Sequence, residues 1–436
     1  MRFNRASGIL KAAPLAIGMI FLPACQTVTA VKSPEEQTVR CDENSIAISC
    51  LLQAAEQAFT EIESDLDWIS AAGEFAVALS ENGQKDKARN FLTQAGERIG
   101  RIENPGAKIA AAAELGKAAS TAKLPDIALA MVAMGNEEVA KLEDNAKKYD
   151  LIGKLTAVQA SAGQTDDAIQ KVLSFPQTTD NHAALKARSL REIAVAQAKA
   201  GNFDAAERTI AQITFGLTYY QSTVRSDVAA LAFEAGDSKR ALMLLRQAET
   251  VARAQDNGYF VAGALRDIGV VYVDNDMLER AMPFFADAKA GARGANSNQE
   301  RARALSRIGT GLADCGLYDE AKSVFAEARD FAKNAKSDLS RHFSHYEIAG
   351  SAAFAGDFDT ANKLAATLPE TKFGSTSSLK AATQRDLAWG LAKHGRTSEA
   401  RTLINSIIPA RERIMSYSRV VRLLTDPKMQ AFPRYL

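Results

Sequence analysis

Gly316-Leu317-Tyr318-Asp319-Glu320-Ala321, followed at helical spacing by Phe325 and Ala328, is the stretch whose reading decides the fold. Its glycine suits the left-handed backbone that ends a helix. Its alanine suits the close packing of the helix that follows. Glycine followed five residues later by alanine recurs at Gly83/Ala88, Gly163/Ala168, Gly201/Ala206, Gly236/Ala241, Gly356/Ala361 and Gly395/Ala400, with degenerate copies at Lys123/Ala128 and Asp276/Ala281. Successive alanines stand 40, 40, 38, 35, 40, 40, 40 and 39 residues apart. A fixed period of about 20–50 residues is the mark of a stacked repeat array.

Working outward, an apolar residue lies eight positions before each turn: Phe75, Leu115, Leu155, Ile193, Val228, Ile268, Ile308, Ile348 and Leu387. A small residue follows each one, for example Gly116, Ala194, Gly269 and Gly309. Nine positions after the turn stand Leu92, Val132, Val172, Ile210, Leu245, Phe285, Phe325, Ala365 and Ile404. This places two facing helices in each repeat, A before the turn and B after it. Small residues allow close approach and larger ones fill the layer between. Asp, Ser or Thr just after the glycine is expected to cap helix B.

Gly316-Leu317-Tyr318-Asp319-Glu320-Ala321, Gly201-Asn202-Phe203-Asp204-Ala205-Ala206 and Gly356-Asp357-Phe358-Asp359-Thr360-Ala361 resemble the turn motif of tetratricopeptide repeat (TPR) proteins, over about residues 66–407. The period departs from that family's, about 34 residues, and the early-helix Trp is missing. The resemblance implies an all-α, right-handed solenoid of about nine helix hairpins, some twenty helices, with a binding groove lined by the A helices. Helix B is expected to be long in the repeats with Ala95, Ala248, Ala288 and Ala328. It is expected to be short in those with Phe175, Ile213, Leu368 and Ile407, where Pro176, Gly216, Pro369 or Pro409 follows. Residues 45–61 and 410–425 read as terminal capping helices, with the polar outer side that the ends of an open array need.

The chain is divided as residues 1–24, 25–44 and 45–436. The first segment carries Arg2, Arg5 and Lys11, then an apolar run of thirteen residues from Ala12 to Ala24. That run is shorter than the ~20 residues a spanning helix needs and suits an export signal. Leu22-Pro23-Ala24-Cys25 resembles a bacterial lipoprotein box, which implies lipidation of Cys25; the alternative is ordinary secretion with cleavage after Ala30. Either route takes the protein out of the cytoplasm, and Gln26 after the cysteine resembles outer-membrane rather than inner-membrane sorting. Residues 26–44 read as a polar tether. Cys41 and Cys50 close a small loop if oxidised there and are two free thiols otherwise.

Elsewhere the composition is that of a packed helical protein: 47% apolar, 24% charged, 11 prolines and net charge +1. So balanced a charge gives no global field for nucleic acid. No nucleophile elbow, phosphate loop, zinc-protease helix or dinucleotide fingerprint occurs, and the expectation is no catalysis, metal or cofactor. His342 and His345 share a helix but read as ordinary helix residues, and Cys315 as a small buried one. The basic–acidic pairs Arg191-Glu192, Arg266-Asp267 and Arg385-Asp386, with Glu74, Glu114, Asp227 and Glu347 at the acidic position alone, admit two readings. In one, Arg191, Arg266 and Arg385 with Phe343, Tyr346 and Trp389 line a partner-binding groove. In the other, the charges pair between repeats and set their register. The function expected is a membrane-anchored periplasmic scaffold for proteins of the bacterial envelope. The alternatives are a helical toroid acting on wall glycan and a component of an outer-membrane or secretion assembly machine.

Overall fold

A computed structural model describes residue 41 and residues 46–176, 178–213, 218–370, 372–373 and 377–426. The chain divides into two compact units, Met1–Arg40 and Cys41–Leu436. The first unit, with Cys25 and the segment read as an export signal, lies outside the described residues, as does most of the stretch read as a tether. No described helix is long and apolar enough to cross a membrane.

Among its described residues the second unit is all-α apart from one pairing of two-residue strands, Lys372–Phe373 with Ser377–Ser378. It is a TPR-like array of helix hairpins. The A helices are α2 (Asp65–Glu81), α4 (Pro105–Thr121), α6 (Ala146–Ser161), α8 (Asp180–Lys199), α10 (Thr218–Glu234), α12 (Gly258–Val273), α14 (Asn298–Asp314), α16 (Asp338–Phe354) and α18 (Leu379–Lys393). Their B partners are α3 (Lys85–Gly100), α5 (Pro125–Val139), α7 (Thr165–Leu173), α9 (Phe203–Ala211), α11 (Ser238–Arg253), α13 (Leu278–Arg293), α15 (Tyr318–Lys333), α17 (Phe358–Ala365) and α19 (Thr397–Ser406). Two helices remain, α1 (Ile48–Ala58) and α20 (Ala410–Thr425). The short B helices are α7, α9, α17 and α19, of 9, 9, 8 and 10 residues, against 15 or 16 in the others.

Every turn position has positive φ, the glycines ranging from Gly395 at 74° to Gly163 at 98°. Lys123 at 58° and Asp276 at 59° adopt the same conformation without being glycine, which costs roughly 1–2 kcal/mol each. The hairpin core is built as the spacing requires. Phe325 is fully buried, and a Cβ added at Gly309 would stand 2.5 Å from its ring, so only glycine admits that helix contact. All nine A-helix apolar positions are buried; among the B positions Ala365 is only half-buried and Leu364 fills the layer instead. Capping differs from expectation. Side-chain caps sit mostly on A helices (Ser64, Asn104, Asn145, Thr179, Asn257, Ser297, Ser337, Ser378), and on B helices only at Asp237 and Asp357 among the described residues.

The terminal helices are where the structure departs furthest from the sequence reading. Neither is a polar cap. Helix α20 packs on α18 as the next A helix should, and also on α2, the first of the array. Its B partner is α1, brought from the opposite end of the unit. The A-helix contacts therefore run in a closed cycle, α2–α4–α6–α8–α10–α12–α14–α16–α18–α20–α2, and a tenth hairpin is assembled from both ends. One continuous apolar cluster joins Leu51, Phe75 and Leu115 to Trp389, Ile414, Tyr417 and Val421. Polar contacts cross the same junction. Arg422 reaches Glu81 through two bonds of 2.8 and 3.0 Å, Arg411 donates to Ser70 at 3.0 Å, and Arg413 meets Glu61 at 2.5 Å. The physical reason is plain: α1 and α20 each carry an apolar face that an open array would leave wet, and each is the other's cover. A disulfide joins Cys41 to Cys50 in the first turn of α1, with Cα atoms 5.3 Å apart.

Candidate functional site

The residues that recur one place before each A-helix apolar position come together between neighbouring A helices. Arg191 of α8 reaches Asp227 of α10 at 2.8 Å. Arg303 of α14 reaches Glu347 of α16 at 2.7 Å. Arg385 of α18 reaches Glu412 of α20 at 2.8 Å and its own neighbour Asp386 at 3.2 Å. Across the closing junction Arg422 of α20 stands 3.7 Å from Glu74 of α2. Ser70 of α2 donates to Glu114 of α4 at 2.7 Å. The result is a belt of charge running from one A helix to the next. Apart from Arg385–Asp386, each pair straddles a repeat boundary, so it orients one repeat against the following one.

The belt is driest where the cycle closes. Glu412 is fully buried between Arg385 and Arg411. Burial alone would depress the Arg385 guanidinium, but Asp386 and Glu412 outweigh it and hold its pKa above the ordinary value. Arg419, in the same nest, goes the other way: burial and the neighbouring Arg385 lower it. The Tyr346 hydroxyl is pushed up by the charge of Asp386 and by burial. On α16, burial raises the Glu347 carboxyl against the pull of Arg303 and Arg307. Such buried networks lose heavily if one member is removed.

Of the six groove candidates, the structure divides the arginines from the aromatics. Arg191 and Arg385 are inter-repeat ion-pair members, and Arg385 is only 8% exposed. Trp389 is a core residue, 4% exposed, its ring centroid 5.1 Å from that of Phe354. Packing at the closing junction draws the indole inward rather than to a groove. Tyr346 is half-buried beside Asp386, and Phe343 is exposed on α16. Of the two histidines, His345 bonds through Nδ1 to the Thr367 hydroxyl at 2.9 Å, and burial lowers its pKa. Cys315 donates to the Gly311 carbonyl, and burial pushes its thiol up to about 12, so it is not a reactive thiolate. Among the described residues no cluster of three His, Cys, Asp or Glu could hold a metal.

Arg266 differs from the other two arginines. Its sequence neighbour Asp267 takes its Nη2, while its Nε is buried with no hydrogen-bond partner. The reason lies one repeat on. Where the next A helix should offer an acid, at the position of Glu192, Asp227, Glu347 and Asp386, α14 carries Arg307. Arg266 and Arg307 consequently line a narrow cleft with Tyr219, Tyr259, Ala262, Gly263 and Ala304, from α10, α12 and α14. Gly263 admits the Tyr219 ring, since a Cβ there would stand 3.3 Å from it. Phe260 lies against both tyrosines, tilted on Tyr219 at 5.0 Å and edge-on to Tyr259 at 5.6 Å between ring centroids, and is 39% exposed. Burial and Asp267 raise the Tyr219 hydroxyl to about 12, so it stays a protonated donor. The signal for this cleft was in the sequence: Arg307 and Lys154 are the two basic residues in a series whose other seven members, from Glu74 to Asp386, are acids.

No family model matches the chain, and no curated protein matches it. Solved structures that it resembles include Ton1535 from Thermococcus onnurineus NA1 (13% identity, 78% of this chain, 97% of that chain, TM-score 0.29). Another is a Rap protein complexed with Competence and Sporulation Factor (14%, 70% and 89%, TM-score 0.32). A third is aspartyl phosphate phosphatase F from Bacillus subtilis (13%, 80% and 95%, TM-score 0.32). Likeness at this level carries no argument about function. What defines the class is the chain's own architecture, a TPR-like helical-repeat protein.

Proposed function

We propose that the chain is a lipid-anchored scaffold of the bacterial envelope, facing the periplasm, which binds other envelope proteins and catalyses no reaction. The observation that carries this reading is the use made of the charged residues. Four acids of the A-helix layer, of the kind a hydrolase would need in an open cleft, are spent on inter-repeat pairs: Asp227, Glu347, Asp386 and Glu412 each face an arginine of a neighbouring helix. The large apolar side chains that the A helices leave accessible include two aromatics, Phe260 and Phe343, beside Leu66 and Leu339, and aromatic anchors are typical of polypeptide recognition. The Cys41–Cys50 disulfide supports an oxidising compartment. The Leu22-Pro23-Ala24-Cys25 stretch supports a lipid anchor, and Gln26 after it supports outer-membrane sorting.

Closure of the helix cycle favours one rival, a helical toroid acting on wall glycan. The pairing of the acids weighs against its catalytic form. Affinity capture from detergent-solubilised envelopes, with wild type and a Phe260→Ala/Phe343→Ala variant side by side, tests the choice. Discrete proteins retained by wild type and lost by the variant are expected. Equal retention by both, or none with measurable glycan turnover, would refute the scaffold. Radioactive palmitate should label wild type and not Cys25→Ala.

A further inference from the structure

We propose that the solvent face of α13 is the contact surface of a homodimer, on which a second copy of this chain lays the same helix antiparallel to the first.

The amino-acid pattern of α13 starts the argument. A helix turns about 100° per residue, so Leu278, Met282, Ala286 and Ala290 form one row along it. All four are exposed, Leu278 by 41% and Met282 by 38%, and Pro283 beside them is exposed too. The opposite side of the helix, with Ala281, Phe284 and Phe285, is already buried in the array, so the row is a second apolar face. No other long B helix has one. At the same four places after the turn, α3 carries Lys85, Arg89, Thr93 and Glu97. The remaining long B helices each place charge in the row: Glu137 in α5, Arg246 in α11, Lys322 and Asp330 in α15. An apolar face on one helix among polar neighbours marks a contact surface.

The row's own asymmetry says what covers it. Its first half is large, Leu278 and Met282, and its second half is small, Ala286 and Ala290. Charge on the same arc of the helix is asymmetric as well. Glu279 stands at the start, Lys289 and Arg293 towards the end, and Arg293 already holds Glu327. Arg280 and Asp287 fall on the flank, outside that arc. An antiparallel copy, related by a two-fold axis near Phe284, lays the large half of each row over the small half of the other. It also brings each Glu279 towards the other copy's Lys289. A parallel copy would set large against large and Glu279 against Glu279. The face is therefore self-complementary in size and in charge, as a two-fold interface requires. Because the row lies on a B helix, pairing leaves the A-helix surface open. A contact of one helix face is at the small end of specific interfaces, so the dimer should dissociate in the micromolar range.

Sedimentation equilibrium of the full chain with Cys25→Ala, which carries no lipid at that residue, reads the outcome without detergent. A saturable monomer–dimer equilibrium is expected. Met282→Asp, on an exposed side chain, should weaken the dimer about 100-fold or more. Leu339→Asp, on a leucine of α16 that is 48% exposed, should leave it unchanged. Glu279→Lys and Lys289→Glu should each weaken it about tenfold, and the two together should restore it to within about threefold of wild type. A wild-type chain that stays monomeric would overturn the proposal, whether another protein or the chain's own terminal segments cover α13. So would a dimer unmoved by Met282→Asp, equal weakening by Leu339→Asp, or a double reversal no tighter than the single ones. Should Met282→Asp lose its helical circular dichroism, the charge reversals decide: restoration in the double variant supports the antiparallel pairing and its absence refutes it.

Discussion

Replacing Leu51 by alanine asks whether α1 is an end or a keystone. Leu51 is fully buried in the cluster that α1 shares with α2 and α20. Truncating a fully enclosed leucine costs about 2–5 kcal/mol, the lost transfer energy plus the cavity left behind. Where that cost is felt depends on topology. In an open array the terminal repeat interacts with one neighbour, and its loss frays that end alone. Here α1 covers α20, and α20 bridges α18 and α2. The destabilisation should therefore reach residues at both ends of the unit. Native-state hydrogen exchange reads this directly. Amides of α1, α2 and α20 should all exchange faster by a similar factor, ~30-fold or more. The Cys41–Cys50 disulfide remains intact in this variant, so local tethering of α1 is not the variable. Faster exchange confined to α1, with α2 and α20 protected as before, would refute closure.

Other consequences are equally direct. Glu412→Gln removes a buried charge that faces Arg385 at 2.8 Å and Arg411 at 2.7 Å, and should cost about 3–5 kcal/mol in urea unfolding; a loss near zero would mean that the pair is solvated. Lys123→Gly relieves the positive φ at the second turn and should stabilise by roughly 1 kcal/mol, seen as a higher Tm; a lower Tm would contradict the strain. For His345, burial sets the folded pKa below the ordinary 6.5. Its contribution is then fully present above pH 6.5 and is lost as pH falls through the folded value, because the unfolded chain takes up the proton first. Urea midpoints should fall from pH 7.5 towards pH 5 in wild type and fall less in His345→Gln; an identical fall in both would exclude His345 as the source.

Much of this was legible because it is local. A glycine at seven of the nine turns, an apolar residue eight before the turn position and another nine after it fix two facing helices. Pro176, Pro369 and Pro409, and Gly216, announced the four short B helices, since proline cannot continue a helix. Even the degenerate turns at Lys123 and Asp276 were placed by period alone, and both have the positive φ of the glycines. Ala365 was misplaced by one residue, and Leu364 took the buried position, whereas Val172, Ile210 and Ile404 of the other short B helices are buried where the spacing put them. The belt was visible as a pattern of acids and bases. Whether those charges faced a ligand or each other was not, because a sequence position does not say how far the next repeat is rotated.

The sequence by itself determined the repeat, its helices, their lengths and the places where backbones touch, since each follows from hydrophobic period and turn chemistry within some 40 residues. Only the tertiary structure decided that the tenth hairpin is made of α1 and α20, that Trp389 and Arg385 are core, and that Arg266 alone of the three pattern arginines lacks an acid one repeat on. Those outcomes depend on the small rotation between repeats summed over the whole array. That sum brings Glu81 within 2.8 Å of Arg422, and no local signal encodes it.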